Sequence, residues 1–121
     1  MAGSGDWEVV FYVAADGDGP VRGFLADLDR QTAARFDWSI EQLRLRNVLA
    51  REPLVRRLEG GVWELRRESN TNIYRLLYAL LPRRRILFLH GFQKKSRKTP
   101  RREIETALRR LADFRQREGG D

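Results

Sequence analysis

Hydrophobic positions change their spacing along this chain, and each change marks an element. Trp7-Glu8-Val9-Val10-Phe11-Tyr12-Val13-Ala14 is rich in β-branched and aromatic residues, which predicts a strand. Asp16-Gly17-Asp18-Gly19-Pro20 is turn chemistry, with Asp18 or Gly19 placed to cap a helix and Pro20 at its first position. Val21, Phe24, Leu25 and Leu28 then recur on one helical face. A second helix is predicted from about Gln31 to Ala50, carried by Ala33, Phe36, Ile40 and Leu43, then Leu45, Val48 and Leu49. Its stripe is irregular at Asp37-Trp38-Ser39, where a kink or a division is expected. Arg51-Glu52-Pro53 ends it, because the residue before a proline avoids helical geometry.

After the turn Glu59-Gly60-Gly61 the period drops to two. Val62-Trp63-Glu64-Leu65-Arg66-Arg67 alternates, with Trp63 and Leu65 on one face and Glu64 and Arg66 on the other. Asn72–Leu81 is apolar on both faces, as a central strand is. Pro82-Arg83-Arg84-Arg85 is a tight hairpin connection, and Ile86–Phe92 is the next strand. Short connections argue for an antiparallel meander. A last helix starts near Pro100, with Thr99 as its cap and Ile104, Ala107, Leu108, Leu111 and Phe114 or Arg115 as its buried stripe. Glu103 falls one residue late for a capping box on Thr99. The pattern gives an α+β fold: an antiparallel sheet of about four strands packed against an N-terminal helix pair, with a C-terminal helix. Residues 1–6 read as a flexible lead, 7–117 as one domain and 118–121 as a frayed tail.

Charge changes the picture. The 121 residues carry a formal charge of +7, which points to an anionic partner. Between Glu68 and Glu103 there is no acidic residue, yet the segment holds Arg75, Arg83, Arg84, Arg85, Lys94, Lys95, Arg97, Lys98, Arg101 and Arg102. Crowded cations repel one another until a polyanion neutralises them, so a phosphate backbone is the economical partner and a solvated basic loop the bland one. With no cysteine and one histidine, the chain offers no disulfide or thiolate chemistry and a poor ligand set for zinc. No apolar run reaches membrane-span length, and the N-terminus lacks a signal-peptide pattern, so a cytoplasmic protein is expected.

Arg75 is the residue on which the functional reading turns. A guanidinium in the middle of an apolar strand is costly unless it is paired or reaches an open face. If helices cover the face of Tyr74 and Tyr78, Arg75 looks out beside Glu64 and Arg66. It then either closes an internal salt bridge with Glu64 or clamps phosphate, and one carboxylate between two arginines serves both roles. Lys94 and Lys95 follow the third strand at the edge of that face. His90 shares parity with Phe88 and Phe92; it is a hydrogen-bonding residue or, given its near-neutral pKa, an acid–base group. Phe92 packs in the core or stacks on a base. The chain shows no Gly-rich phosphate loop, no carboxylate pair and no nucleophile triad.

Trp63-Glu64-Leu65-Arg66, Tyr74-Arg75-Leu76-Leu77-Tyr78 and Gly91-Phe92-Gln93-Lys94-Lys95-Ser96 with Thr99-Pro100, in that order, resemble the phage-derived RelE/HigB-like toxins of type II toxin–antitoxin modules. The resemblance covers about residues 54–115. It implies a microbial-ribonuclease-like fold, metal-independent mRNA cleavage, often in the ribosome, and a neighbouring helix-turn-helix antitoxin; no cofactor is implied. It places catalysis on Arg66, Arg75, Lys94 and Lys95; beside them Arg97, Lys98, Arg101, Phe92 and His90 are expected as RNA-binding positions. A lysine among cations has a lowered pKa, which suits Lys94 or Lys95 to proton transfer. Two other functions fit the same basic face: a non-catalytic nucleic-acid-binding module, and a ParE-type gyrase inhibitor.

Overall fold

A computed structural model describes residues 6–46, 55–69, 71–95 and 97–119. Its sheet is built outward from Asn72–Leu81, the strand apolar on both faces. In chain order the elements are β1 (Glu8–Phe11), α1 (Pro20–Ala26), α2 (Arg30–Arg46), β2 (Val55–Arg57), β3 (Val62–Ser69), β4 (Asn72–Leu81), β5 (Arg85–Gln93) and α3 (Arg101–Arg117). The sheet order is β1-β5-β4-β3-β2, so β4 lies in the middle, flanked by the antiparallel neighbours β3 and β5.

The expected α+β meander over β3, β4 and β5 is present, and the sheet differs from expectation at its two edges. The N-terminal strand covers Glu8–Phe11 within the expected Trp7–Ala14 and runs parallel to β5, with Val10 opposite Leu87 and Phe11 opposite Phe88. The sheet is therefore mixed. At the other edge β2 adds a fifth strand, Val55 facing Leu65 and Arg56 facing Glu64. α2 runs unbroken through Asp37-Trp38-Ser39, with Ser39 buried and Trp38 outward. The helix opens on Asp29, whose carboxylate accepts the Thr32 amide at 2.8 Å and the Thr32 hydroxyl at 2.9 Å. Its expected continuation to Ala50 lies outside the described residues, as does the stop at Pro53.

Register settles which side chains share a face. α1 and α2 cover the face of Leu65, Leu76 and Tyr78, where Phe24 of α1 meets Phe36 of α2 edge-on at 6.3 Å. Gly91, paired with Leu76, makes that packing possible: a Cβ there would stand 2.2 Å from Cδ2 of Phe24. α3 covers the opposite face, burying Ala107 and Leu111, with Leu108 and Phe114 against the core and Arg115 exposed. A register shift in β5 leaves Leu89 as the extra residue between the pairs Leu77–His90 and Tyr78–Phe88. That bulge parts two residues of like parity. Phe88 stacks toward Phe11 and Tyr78, whereas His90 turns to the α3 face.

The hairpin between β4 and β5 turns through Arg83 and Arg84, whose φ of 66° and 56° place both in the left-handed region. No helix among the described residues is long and apolar enough to cross a membrane.

These contacts separate two glycine substitutions. Gly91→Ala should lower stability by about 1–3 kcal/mol, because the methyl group drives into Phe24. Gly23→Ala, in α1 with open space around it, should raise stability by about 0.5–1 kcal/mol. Denaturant titration of the two variants checks both signs.

Candidate functional site

One carboxylate organises the α3 face. Glu64 is fully buried, and its Oε2 accepts Nε of Arg66 at 3.1 Å and the terminal guanidinium nitrogen at 2.9 Å. Nε of Arg75 lies 3.7 Å from the same oxygen. The hydroxyl of Thr99 donates to the other oxygen, Oε1. Arg66 and Arg75 are directly opposed across β3 and β4, and Arg56 of β2 stands directly across from Glu64. Two guanidiniums thus share one carboxylate, and the Arg56 charge is near enough to act on Arg75, leaving an excess of positive charge.

The open face expected for Arg75 is closed. Lys98, Thr99 and the start of α3 fold over it, and Arg75 is 0% exposed, with the Lys98 carbonyl accepting from its guanidinium at 3.4 Å. Burial pulls its pKa down more than the Glu64 charge raises it, and Arg66 and Arg56 add to the lowering. The ion pair with Glu64 is the reading of Arg75 that the geometry favours. Arg66 differs: its side chain is 16% exposed and can meet a ligand while still held by Glu64. Its guanidinium also donates to the Arg97 carbonyl at 2.9 Å, tying the segment after β5 to this point.

The cations of the acid-free segment do not form one patch. Arg83, Arg84 and Arg85 lie at the hairpin, where Arg85 pairs with Glu118 at 2.7 Å. Arg101 pairs with Glu59 and Glu105, so it is neutralised at the foot of α3. Lys94, Lys95 and Arg97 follow the opposite end of β5; Lys94 is half-buried, its amide bonded to the Ile73 carbonyl at 3.0 Å, and Lys95 and Arg97 are exposed. Among the described residues no carboxylate lies within ion-pairing distance of these three. Lys98 is exposed beside them.

His90 and Phe92 are held inside this face. The rings stack at 5.3 Å, and Arg75 lies 5.9 Å over the Phe92 ring, so Phe92 turns no open face to a base. Arg110 donates to His90 Nδ1 at 3.2 Å, so the neutral imidazole carries its proton on Nε2 and donates it to Glu103 at 2.6 Å. Burial lowers the His90 pKa more than Glu103 raises it. Arg110 also donates to the carbonyl of the bulged Leu89 at 2.9 Å. Thr99 is committed to Glu64, and Pro100 takes the cap position of α3. A proline has no N–H to receive Glu103, whose carboxylate goes to His90.

Sequence reasoning missed Arg56. Its place beside Glu64 depends on the register of β2 against β3, which three residues do not announce.

The family model described as Phage derived protein Gp49-like (DUF891) matches residues 23–112, about three quarters of the chain. The chain belongs to this family. Gp49-like proteins are toxin-like proteins of toxin–antitoxin systems. The matched span contains Arg56, Glu64, Arg66, Arg75, His90, Lys94, Lys95 and Glu103, the whole of the cluster described above. No curated protein matches the chain.

Two outcomes test this Gp49-like site. Glu64→Gln keeps the shape but leaves Arg75 buried without its counter-charge, and should lower stability by about 3–5 kcal/mol. Arg66→Gln, at the exposed end, should lower it far less, as paired denaturation curves would show. For pH, the unfolded chain protonates His90 as pH falls through about 6.5, whereas the folded chain resists. The His90 contribution to stability is thus complete above that pH and declines below it. His90→Gln should flatten the slope between about pH 5 and 7, since no other histidine is present.

Proposed function

We propose that this protein is the toxin of a type II toxin–antitoxin module, of the RelE/HigB kind, and that it cleaves mRNA in the ribosomal A site and so inhibits translation. The carrying observation is the excess of guanidinium over carboxylate at Glu64, with Arg66 reaching the surface and bonded to the Arg97 carbonyl, in the same short segment as Lys94 and Lys95. A phosphodiester supplies the missing negative charge. Arg66 holds it through its guanidinium edge, and Arg56 adds charge from the neighbouring strand. Arg75 acts from beneath: it fixes the carboxylate that fixes Arg66, and is a positioning residue.

The reaction suited to such a site needs no nucleophile from the protein. The 2′-hydroxyl of the RNA attacks the adjacent phosphorus and loses its proton to a base. The P–O5′ bond breaks, and the 5′-oxygen takes a proton from an acid, leaving a 2′,3′-cyclic phosphate. The protein's part is to orient the groups in line and stabilise charge on the phosphoryl oxygens. Lys94 or Lys95 serves proton transfer in this reading, and Arg97 and Lys98 hold the flanking backbone. A helix-turn-helix antitoxin that covers or distorts this cationic face would silence it, in the cytoplasm where both would be made.

The test separates catalysis from binding. Lys94→Ala or Lys95→Ala should cut single-turnover cleavage on programmed ribosomes by roughly 10²–10⁴ for whichever lysine transfers a proton. Binding should weaken only modestly, with a salt slope reduced by about one unit or less. Arg66→Ala should lose cleavage through lost charge stabilisation. Rate loss in strict proportion to affinity loss, in every variant, would instead identify a non-catalytic nucleic-acid-binding module.

A further inference from the structure

Across the sheet from Arg66 lies a second cationic feature that the proposed reaction does not use. Trp38 of α2 is 54% exposed, the largest exposed apolar side chain among the described residues. It borders an open groove of about 520 Å³ whose other walls are Gln31, Ala34, Arg35 and Arg67. Arg67 follows Arg66 on β3 and therefore points to the other face of the sheet.

The two arginines of this groove are held beside each other without a carboxylate between them. Arg44, Arg85, Arg101 and Arg117 each pair with a carboxylate. Among the described residues no carboxylate pairs with Arg35 or Arg67. Arg35 is tied instead to the Glu68 carbonyl, which holds it beside β3. Burial lowers the Arg67 pKa first and the Arg35 charge lowers it further. Two partly desolvated cations are thus held together at the rim of an exposed indole.

We infer that this groove is a nucleotide-binding subsite, in which a base of single-stranded RNA stacks on Trp38 while its flanking phosphates lie on Arg35 and Arg67. Aromatic stacking accepts any base, and guanidinium forks match phosphate oxygens. The groove is open and walled by five side chains, which suits a nucleotide better than a helix of a protein partner. Its position suits a continuous strand too. Arg66 and Arg67 are adjacent on one strand, so RNA held at Arg66 rounds the end of the sheet near Ser69 and Asn72 to reach Arg67. The subsite rests on the RNA reading of the Arg66 face and extends it: substrates long enough to span both faces bind more tightly than short ones.

The experiment uses fluorescently labelled oligouridylates of about three and about twelve nucleotides, with anisotropy as the readout. Trp38→Ala and Arg67→Met should each weaken the longer oligomer about tenfold and leave the shorter one unchanged. Arg67→Met should also reduce the salt slope by about 0.7. Trp38→Phe should keep most of the affinity and Trp38→Leu should not, because only the first offers a ring to stack. Unchanged binding across the series would overturn the subsite. So would equal retention by the Phe and Leu variants, which would mark an apolar docking surface for a protein. Failure of the wild type to bind either oligomer would also remove the subsite. In either case the cleavage assay with the Lys94, Lys95 and Arg66 variants decides the nuclease reading by itself.

Discussion

A carboxylate with no access to water must be matched by positive charge, and that requirement at Glu64 ties four parts of the molecule together. β3 supplies Glu64 and Arg66, β4 supplies Arg75, β2 brings Arg56 alongside, and the segment before α3 supplies Thr99 and the Lys98 carbonyl. A hydrophobic cluster of the same size tolerates small slips in register, since apolar contact has no direction. Oriented ion pairs do not, because a one-residue slip of β3 would carry Glu64 to the other face. The same charges that fix the register leave a surplus of positive charge beside Arg66, so the fold and that surplus share a cause.

How much of this was legible in the chain depends on how local the cause is. The alternation in Val62–Arg67, the doubly apolar run 72–81 and the short connections identify β3, β4 and β5 because each signal lies within a few residues. The partner of β1 is not local. Nothing in Trp7–Ala14 states that its neighbour lies nearly eighty residues away or that the pairing is parallel. Parity likewise told that Glu64, Arg66 and Arg75 share a face, but not that α3 lands on that face and buries two of them. The bulge at Leu89 breaks the parity rule for His90 and Phe88, and its signal is a register shift visible only with both strands in place.

The acid-free run of cations carries a similar lesson. In the sequence Arg83 and Lys95 belong to one basic segment. In the fold the nine residues of β5 stand between them, roughly 30 Å of extended chain. Charge density along a chain becomes charge density in space only where the backbone stays folded on itself. Here the hairpin end meets Glu118, and at the other end Arg66 holds the Arg97 carbonyl.

The way α3 closes its face bears on the order of assembly. The β3–β4–β5 meander uses near neighbours in the chain and can form early, whereas β1 has to wait for β5 before it can pair, and long-range parallel pairing is slow. Even then Arg75 and Glu64 would sit in water, where their attraction is weak and Arg66 is poorly held. The arrival of Thr99, Pro100 and the helix behind them removes that water and stiffens the cluster. During synthesis, then, the nascent chain can carry a nearly complete sheet without an organised charge cluster, which would take shape late, with the docking of a single amphipathic helix.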